Sequence, residues 1–237
     1  MQDCSRITQS AMVVEFVGFP GSGKSTIICS TTQALRDAGT FSRVFSLDGA
    51  ALPLGSVRRA LIAFGAMFGQ PALITPTLRL LRCVPPRDLR TCLPICGMIF
   101  VRVRAIARAR RRGGIVLVDH GVAQSVWSLW LRTHSLKARR ALVLVLESAL
   151  PDAPLCLIHV DVPSEVAVDR LDGRAERNLS LPRAGAALTE ALARTADYFD
   201  ELQAGEHWFQ RCSGDGEHAH EVIALTSFLA SLARSAN

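Results

Sequence analysis

The sequence predicts an α/β fold built on a parallel sheet, with helices on both faces. Short apolar runs recur along the chain and alternate with segments whose apolar residues have helical spacing. Strands that alternate with helices in this way pair in parallel, and parallel strands are covered on both faces. The chain has 237 residues, of which 49% are hydrophobic and 20% charged, so we expect one well-buried domain over 1–237 with its core at about 13–232.

Strand segments can be assigned in order along the chain. The segment behind the first of them has helical periodicity and closes on Gly39, a predicted C-cap. The chain ends in an amphipathic helix that begins near His218. Five segments have the β-branched or apolar composition of strands, namely 13–17, 42–49, 115–118, 153–163 and, more weakly, 206–216.

The middle of the chain, 50–114, has a helical pattern that is interrupted by prolines. Because proline usually ends or kinks a helix, we expect several short helices here rather than one long one. The interrupting residues are Pro71, Pro76, Pro85, Pro86 and Pro94.

A phosphate-binding motif lies between the first predicted strand and the first predicted helix. Gly18, followed after four residues by Gly23, Lys24 and Ser25, matches G-x-x-x-x-G-K-[ST] in the context that this motif requires. The glycines let successive N–H groups face an anion at a helix N-terminus. Lys24, one of only two lysines, is expected to reach the β- and γ-phosphates, and the Ser25 hydroxyl to ligate Mg²⁺. The predicted nucleotide-binding residues are Gly18, Gly21, Ser22, Gly23, Lys24, Ser25 and Thr26.

An acidic residue, Asp119, follows the third predicted strand, at the sheet edge where ligands gather in open α/β folds. A carboxylate there can bind Mg²⁺ or accept a proton from a substrate hydroxyl, and the alternative is an Asp that only caps the next turn. His120 comes next, so there is no Asp-Glu pair to polarise water. This spacing disfavours a hydrolytic motor.

Three arginines follow the fourth predicted strand at spacings of four and three. Guanidinium groups on one helix face can clamp phosphate oxygens during transfer, which suggests a lid over about 170–185. The alternative is a solvated helix in which they pair with neighbouring acids. These arginines are Arg170, Arg174 and Arg177, and the acids are Asp169, Asp172 and Glu176.

The order of these parts resembles that of the P-loop nucleoside and nucleotide kinases, and of the thymidylate kinase-like group in particular. The similarity extends over about 13–232, and the phosphate loop is its specific motif. It implies a P-loop NTPase three-layer fold with a five-stranded parallel sheet in the order 2-3-1-4-5, Mg-ATP as donor and an arginine-bearing lid. It also implies that 50–114 is a helical insertion on the acceptor side.

The acceptor half departs from the thymidylate kinase pattern. His120 and Gly121 stand where that group has Arg and an aromatic residue, and 46–55 lacks its Arg, Glu, Pro and Gly pattern. Phosphoryl transfer is therefore carried over and the substrate is not. Candidate acceptor residues are Asp48, which serves equally well as a turn cap, together with Arg102 and Arg104. Trp127 and Trp130 are interpreted as core or rim packing rather than a base-stacking platform.

Two functions from different classes fit these residues. The first is ATP-dependent phosphoryl transfer to a nucleoside, a nucleotide or another hydroxylated small molecule. The alternative is a nucleotide-binding switch or ATPase module that acts with a macromolecular partner, but the chain has no Asn-Lys-x-Asp motif for guanine and no second acid after Asp119. The predicted catalytic residues are Lys24, Asp119, Arg170, Arg174 and Arg177, and the predicted Mg²⁺ ligands are Ser25 and Asp119.

The composition of the chain limits the partners that it could bind and the cellular compartments in which we expect it. The formal charge of +6 comes almost wholly from arginine, which we attribute to codon bias more than to a nucleic-acid surface. The start of the chain lacks a signal-peptide pattern and no apolar run approaches 20 residues, so we expect a cytoplasmic protein without a membrane span. A homodimer is left open. Seven cysteines without paired short spacings are expected to be buried and reduced, namely Cys4, Cys29, Cys83, Cys92, Cys96, Cys156 and Cys212.

Overall fold

Parallel strands form the central sheet of the protein, for which a computed structural model describes 12–38, 44–47, 64–111, 115–133, 135–149, 155–172, 186–204, 208–214 and 218–235. The five strands lie in the order β2-β3-β1-β4-β5, and every neighbouring pair is parallel. The predicted α/β class with a parallel sheet is confirmed. The strands are β1 Met12–Val17, β2 Val44–Leu47, β3 Ile115–Val118, β4 Leu155–Asp161 and β5 Trp208–Ser213.

Helices connect the strands. A short helical turn at 64–67 precedes the two helices of the middle region. The longer helices in the described ranges are α1 Lys24–Asp37, α2 Pro71–Cys83, α3 Pro86–Arg110, α4 Val122–Trp130, α5 Leu136–Ala149, α6 Ser164–Asp172, α7 Ala186–Ala204 and α8 His218–Ser235.

The sheet separates two apolar clusters because side chains along a strand alternate between its faces. Val14 and Phe16 of β1 pack on one face with residues of α1 and α8. Val13 and Val17 lie on the other face, in a larger cluster with residues of α3, α4, α5 and α7. The result is a three-layer arrangement in which the C-terminal ends of β1, β3 and β4 meet at one edge.

The prolines of the middle region interrupt its helices less than the sequence predicts. Pro76 lies inside α2 and Pro94 inside α3, a helix of 25 residues. Pro94 is exposed, on a face where water can replace the backbone hydrogen bond that proline cannot donate. Helices α2 and α3 separate at Val84, which is extended, before Pro86 at the start of α3. The prediction of several helices rather than one is confirmed in the described part of 50–114, although Pro76 and Pro94 do not interrupt their helices.

The cysteines that the structure describes are all free, in agreement with the prediction of reduced thiols. Cys92, Cys96, Cys156 and Cys212 are buried, and burial raises the pKa of the Cys96 and Cys156 thiols to about 12. Cys83 is half-buried. The prediction of burial is wrong for Cys29, because it lies on the outer face of α1; Cys4 is outside the described residues.

None of the helices in the described ranges is long and apolar enough to cross a lipid bilayer. The insertion 50–114 is described from 64 to 111, where it forms the 64–67 turn, α2 and α3. Of the predicted lid at about 170–185, the structure describes only 170–172, at the end of α6. The single-domain assignment over 1–237 stays a prediction.

Candidate phosphate-binding site

The phosphate loop, 18–23, curls between the end of β1 and the start of α1. Gly21 and Gly23 have φ angles of 90° and 88°, a left-handed conformation that side chains with a Cβ rarely adopt. The Ser22 N–H donates to the Phe19 carbonyl at 3.0 Å, which closes the turn. No side chain caps the first turn of α1, so its N-terminal N–H groups and the positive end of its dipole face the loop.

Lys24 is folded into this loop. Its side chain is only 6% exposed, and its ammonium donates to the carbonyl oxygens of Gly18 at 2.9 Å and Phe19 at 3.0 Å and to the Ser22 hydroxyl at 3.4 Å. The positive charge therefore lies inside the curl of the loop. A phosphate at the start of α1 would meet this ammonium together with the backbone N–H groups.

Asp119 and Ser25 meet at the edge of the phosphate loop. The Ser25 hydroxyl donates to Asp119 Oδ2 at 2.7 Å. Asp119 is buried, and its Oδ1 accepts no hydrogen bond among the described residues, which is unfavourable for a buried carboxylate oxygen. The predicted Mg²⁺ ligands thus lie together, with one oxygen in need of a partner.

The donor set suits a magnesium ion that is completed by water and phosphate. Among the described residues, no group of three or more His, Cys, Asp or Glu side chains could hold a metal ion with protein ligands alone. Mg²⁺ is usually bound by only one or two protein oxygens, with water and nucleotide phosphates in the remaining positions. Asp119 and Ser25 therefore fit Mg²⁺ in the presence of a nucleotide.

The phosphate loop is packed tightly against α6 and the end of β5. A Cβ on Gly21 would lie 2.6 Å from the Ala167 carbonyl oxygen, and one on Gly214 would lie 2.1 Å from the Ser22 carbonyl oxygen. Arg170 donates to the carbonyl oxygens of Gly21 at 3.3 Å and Gly214 at 2.9 Å. Arg170 thus contacts the back of the loop, whereas Arg174 and Arg177 lie outside the described residues.

Glu15 connects β1 to the turn after β3. Its buried carboxylate accepts the N–H of Ala123 at 3.0 Å and of Gln124 at 2.8 Å. Burial raises the pKa of the Glu15 carboxyl to about 7, although these N–H groups and the charge of Arg102 oppose the shift. The Gln124 side-chain oxygen in turn accepts the Gly18 N–H at 3.3 Å. The turn that carries Asp119 is thereby tied to the strand and to the phosphate loop.

The candidate acceptor residues do not form one group. Arg102 donates to the Gly121 carbonyl at 3.1 Å and to the Ser125 hydroxyl, at the base of the site. Arg104 instead donates to the Gly65 carbonyl at 3.1 Å, on the exposed side of α3. Asp48 lies outside the described residues. Of the two arginines, only Arg102 is near the turn of Asp119, and it binds protein groups there.

The two tryptophans of α4 are core residues, as predicted. Trp127 and Trp130 are buried, and the Trp127 indole N–H donates to the Thr195 hydroxyl of α7 at 3.2 Å. The Tyr198 hydroxyl donates to the Ala123 carbonyl at 2.6 Å. Helix α7 is therefore bonded along α4, behind the phosphate site.

A cavity of about 460 Å³ opens at the C-terminal ends of β4 and β5. His159, two residues before Asp161 on β4, is buried and stacked on Phe199 with ring centroids 3.8 Å apart. Burial lowers the pKa of His159 to about 4, although the nearby Asp161 opposes the shift. The cavity is lined by Asp161, Val162, Pro163, Arg211, Cys212 and Ser213.

The buried His159 predicts a loss of stability in acid. Its folded pKa lies below the ordinary value of 6.5, so its contribution is present above pH 6.5 and is lost as the pH falls towards about 4. The shift corresponds to about 3 kcal/mol of unfolding free energy. Because Glu15 titrates in the opposite sense over part of this range, the prediction concerns a difference between proteins. The unfolding free energy of the wild type minus that of His159→Gln, from denaturant titrations, should fall by this amount between about pH 6.5 and about pH 4. The difference between the wild type and His220→Gln, an exposed control, should not change with pH. A pH-independent difference for His159→Gln would contradict the assignment.

Three residues of the site are missed by sequence reasoning, namely Glu15, Gln124 and Gly214. Glu15 carries a signal, since it is the only charged residue of an otherwise apolar strand. Gln124 and Gly214 lie far along the chain from the loop residues they touch, 106 positions in the case of Gln124 and Gly18. No local pattern marks such contacts.

Solved structures of deoxyadenosine kinase from M. mycoides are similar to this chain. One with the products dCMP and a flexible dCDP bound is 14% identical, with a TM-score of 0.54, and the match covers 93% of this chain and 100% of that chain. One with dCTP bound is 14% identical, with a TM-score of 0.56 and the same coverage. A third, with dATP bound, is 12% identical, with a TM-score of 0.55, covering 92% and 99%.

The structural similarity shows that this chain has the fold of those deoxyadenosine kinases. The sequence identity of 12% to 14% supports a shared fold and nothing further. No protein-family model matches the chain, and no curated protein sequence matches it.

Proposed function

We propose that this protein transfers the γ-phosphoryl group of ATP to a nucleoside, with Mg²⁺ bound at Asp119 and Ser25. The observation that carries the proposal is the hydrogen bond of 2.7 Å between Ser25 and Asp119 beside a loop that encloses the Lys24 ammonium. This combination of anion nest, buried cation and metal-binding oxygens suits a nucleoside triphosphate.

Transfer by this site depends mainly on positioning and electrostatics. The backbone N–H groups of the loop hold the phosphates in place, and the Lys24 ammonium stabilises the charge that spreads over the transferring oxygens. Asp119 Oδ1 and the Ser25 hydroxyl are the oxygens that would hold the metal. When bound, Mg²⁺ neutralises charge on the β- and γ-phosphates. The lid roles of Arg170, Arg174 and Arg177 stay predictions, as do the acceptor roles of Asp48, Arg102 and Arg104.

A cavity next to the phosphate loop is large enough for the nucleobase of the phosphate donor, ATP. The cavity at the ends of β4 and β5 includes Ser213, the neighbour of Gly214, which packs on the Ser22 carbonyl. Its volume of about 460 Å³ falls in the range of small-molecule sites. We propose that the base of ATP lies in this cavity and that the acceptor lies on the other side of Asp119, towards the insertion.

A nucleoside is the acceptor class that the fold favours. The similar structures are named as deoxyadenosine kinases and hold dCMP, dCDP, dCTP or dATP. The alternative, an ATPase or switch, has no geometric support in the described site, because no second acid stands beside Asp119. His120 and Gly121, and the segment 46–55, also differ from the thymidylate kinase pattern, so we favour a nucleoside over thymidine monophosphate.

An acceptor panel tests this proposal. Purified protein with Mg-ATP is mixed with nucleosides, nucleoside monophosphates, sugars or amino alcohols, and ADP release is measured against a sample without acceptor. We expect stimulation by nucleosides. Stimulation by another class would keep the kinase but reject the nucleoside, and substantial hydrolysis that no acceptor changes would reject the kinase.

Removing the charge of Asp119 should weaken the use of Mg²⁺. Asp119→Asn keeps the shape and the contact with Ser25 but removes the anionic oxygen that would bind the metal. We expect the Mg²⁺ concentration for half-maximal rate to rise by at least about 10- to 100-fold, the scale on which even the partners of metal ligands change metal affinity. Asp169→Asn, on the exposed side of α6, makes the same chemical change and should leave the Mg²⁺ titration as in the wild type. An unshifted titration in Asp119→Asn would remove Asp119 from the metal site.

A further inference from the structure

Glu15 is a carboxylate at a core-facing position of β1. Its side chain is 0% exposed, and it lies on the same sheet face as Val13 and Val17, which belong to the apolar cluster beneath α3 and α4. Burying a carboxylate among apolar side chains is strongly unfavourable unless it is paired and hydrogen-bonded. The sheet alone therefore does not explain a carboxylate at this buried position, and its hydrogen-bond partners must be considered.

Those contacts lie at the N-terminus of α4. Both oxygens of Glu15 are used, one by the N–H of Ala123 and the other by the N–H of Gln124. Gly121, which precedes the helix, supplies no side-chain cap. A carboxylate from β1 thus caps α4 from outside its own segment, where the helix dipole favours negative charge.

The same turn is fitted closely around the carboxylate. A Cβ on Gly121 would lie 2.3 Å from Glu15 Cδ, so only glycine leaves room for the side chain. Arg102 donates to the Gly121 carbonyl from the other side, and its charge offsets that of Glu15. The Tyr198 hydroxyl donates to the Ala123 carbonyl. The start of α4 is therefore held from β1, α3 and α7.

Two contacts of the phosphate loop depend on this turn. Asp119, two residues before Gly121, accepts the Ser25 hydroxyl, and Gln124 accepts the Gly18 N–H. Both contacts are between segments far apart in the chain, so they hold only while the turn and the loop keep their relative position. A shift at the start of α4 would move Asp119 and Gln124 together.

We propose that Glu15 is a positioning residue for phosphoryl transfer, because it caps α4 from the neighbouring strand and so holds Asp119 on Ser25 and Gln124 on the phosphate loop. This inference rests on the proposed function. Glu15 touches neither ATP nor acceptor in this account, and it acts through the turn that carries Asp119.

Because Glu15 can be protonated, the proposal predicts a specific dependence of activity on pH. With its pKa raised to about 7, the carboxyl accepts both N–H groups above that pH, and below it one oxygen carries a proton. Arg102 of α3 and Tyr198 of α7 face it, and neither titrates near neutrality, since burial raises the pKa of Tyr198 further and arginine stays charged. The cap is complete only in the ionised form.

Stability and activity should then change in opposite directions. The folded pKa of Glu15 lies above the ordinary value of 4.5, so its contribution to the free energy of unfolding is present below pH 4.5 and is lost as the pH rises through about 7. If Glu15 had only a structural role, activity would fall together with stability as the pH rises. If Glu15 positions the site, activity should rise as the pH rises through about 7 while stability falls.

The test compares Glu15→Gln with the wild type and with Glu147→Gln, an exposed control on α5. Turnover, the Mg²⁺ titration and the free energy of unfolding are measured from about pH 6.5 to about pH 8.5, above the range in which His159 titrates. We expect Glu15→Gln to need about tenfold more Mg²⁺ and to lose the rise in rate near pH 7. The control should behave as the wild type. A wild-type Mg²⁺ titration and pH profile in Glu15→Gln, even with lowered stability, would overturn the proposal.

Glu15→Asp keeps the test decisive if the glutamine variant does not fold. Aspartate retains the charge but withdraws the carboxylate by one methylene, about 1.5 Å. We expect a raised Mg²⁺ requirement with the pH dependence retained. An unchanged Mg²⁺ requirement in a folded Glu15→Asp would reject the positioning role.

A binding measurement separates this inference from the proposed function. Binding of a fluorescent ADP analogue is titrated with and without Mg²⁺, which requires no acceptor and no turnover. We expect Glu15→Gln to lose most of the Mg²⁺-dependent gain in affinity and to keep the Mg²⁺-free affinity. A retained gain would reject the positioning role. Absence of transfer by the wild type to any acceptor would reject the function, whatever the binding data show for Glu15.

Discussion

Replacing Lys24 with alanine is expected to lower kcat/KM by about 100- to 1,000-fold. The Lys24 ammonium lies inside the phosphate loop, held by the Gly18 and Phe19 carbonyls, where it would meet the transferring phosphate. Removing one preorganised donor from a developing anionic charge has an effect of this size in other enzymes. The measurement is steady-state kinetics with Mg-ATP and a nucleoside acceptor.

The chain supplies its own control for this change. Lys137, the only other lysine, is exposed on α5, away from the loop. Lys137→Ala should therefore keep wild-type turnover. Near-normal turnover in Lys24→Ala, at a temperature where the variant is folded, would contradict the assignment of the phosphate site.

Replacing Gly214 with alanine is expected to destabilise the protein by about 3 kcal/mol, at the upper end for an added methyl group in a packed region. The new Cβ would lie 2.1 Å from the Ser22 carbonyl oxygen and 2.5 Å from Val162 Cγ1, and backbone cannot move aside cheaply. Gly214 also donates to the Asp161 carbonyl at 2.8 Å and accepts from Arg170. Because the displaced oxygen belongs to the phosphate loop, we also expect nucleotide affinity to fall by about tenfold.

The matched control is Gly65→Ala. A Cβ there would meet nothing within 4 Å, and the residue lies in the helical turn 64–67. Alanine should leave stability unchanged or raise it by about 0.5 kcal/mol, because glycine loses more conformational freedom on folding. Denaturant unfolding and nucleotide titration of both variants check the prediction. An undisturbed Gly214→Ala would show that the contact between β5 and the loop is not tight.

The parts of the fold that can be predicted are those that depend on residues adjacent in the sequence. The phosphate loop is a local motif, so its pattern of amino acids is enough to assign Gly18, Lys24 and Ser25. The strand at Ile115–Val118 is predicted with its observed ends, because a buried parallel strand is a continuous apolar run. The proximity of Ser25 and Asp119 follows from parallel strands that end at one edge of the sheet.

Other parts cannot be predicted because they depend on contacts between distant segments. Glu15 is a single charge in an apolar strand, and its partners lie 108 and 109 positions away. The position of Arg170 in the chain predicts a lid, whereas its contacts with Gly21 and Gly214 depend on how α6 packs. Pro94 lies inside α3 and does not interrupt it, contrary to what its residue type suggests. Its position is exposed, and tertiary packing decides which face of the helix is exposed.

Tracing the γ-phosphate is the most direct test of the central claim. The protein is incubated with γ-labelled ATP, Mg²⁺ and deoxyadenosine, and the labelled products are separated and identified. We expect the label to be recovered on the nucleoside as its monophosphate, its appearance to match ADP release, and Lys24→Ala to abolish most of it. Recovery of the label only as inorganic phosphate, with or without nucleosides, would contradict phosphoryl transfer to a small-molecule acceptor.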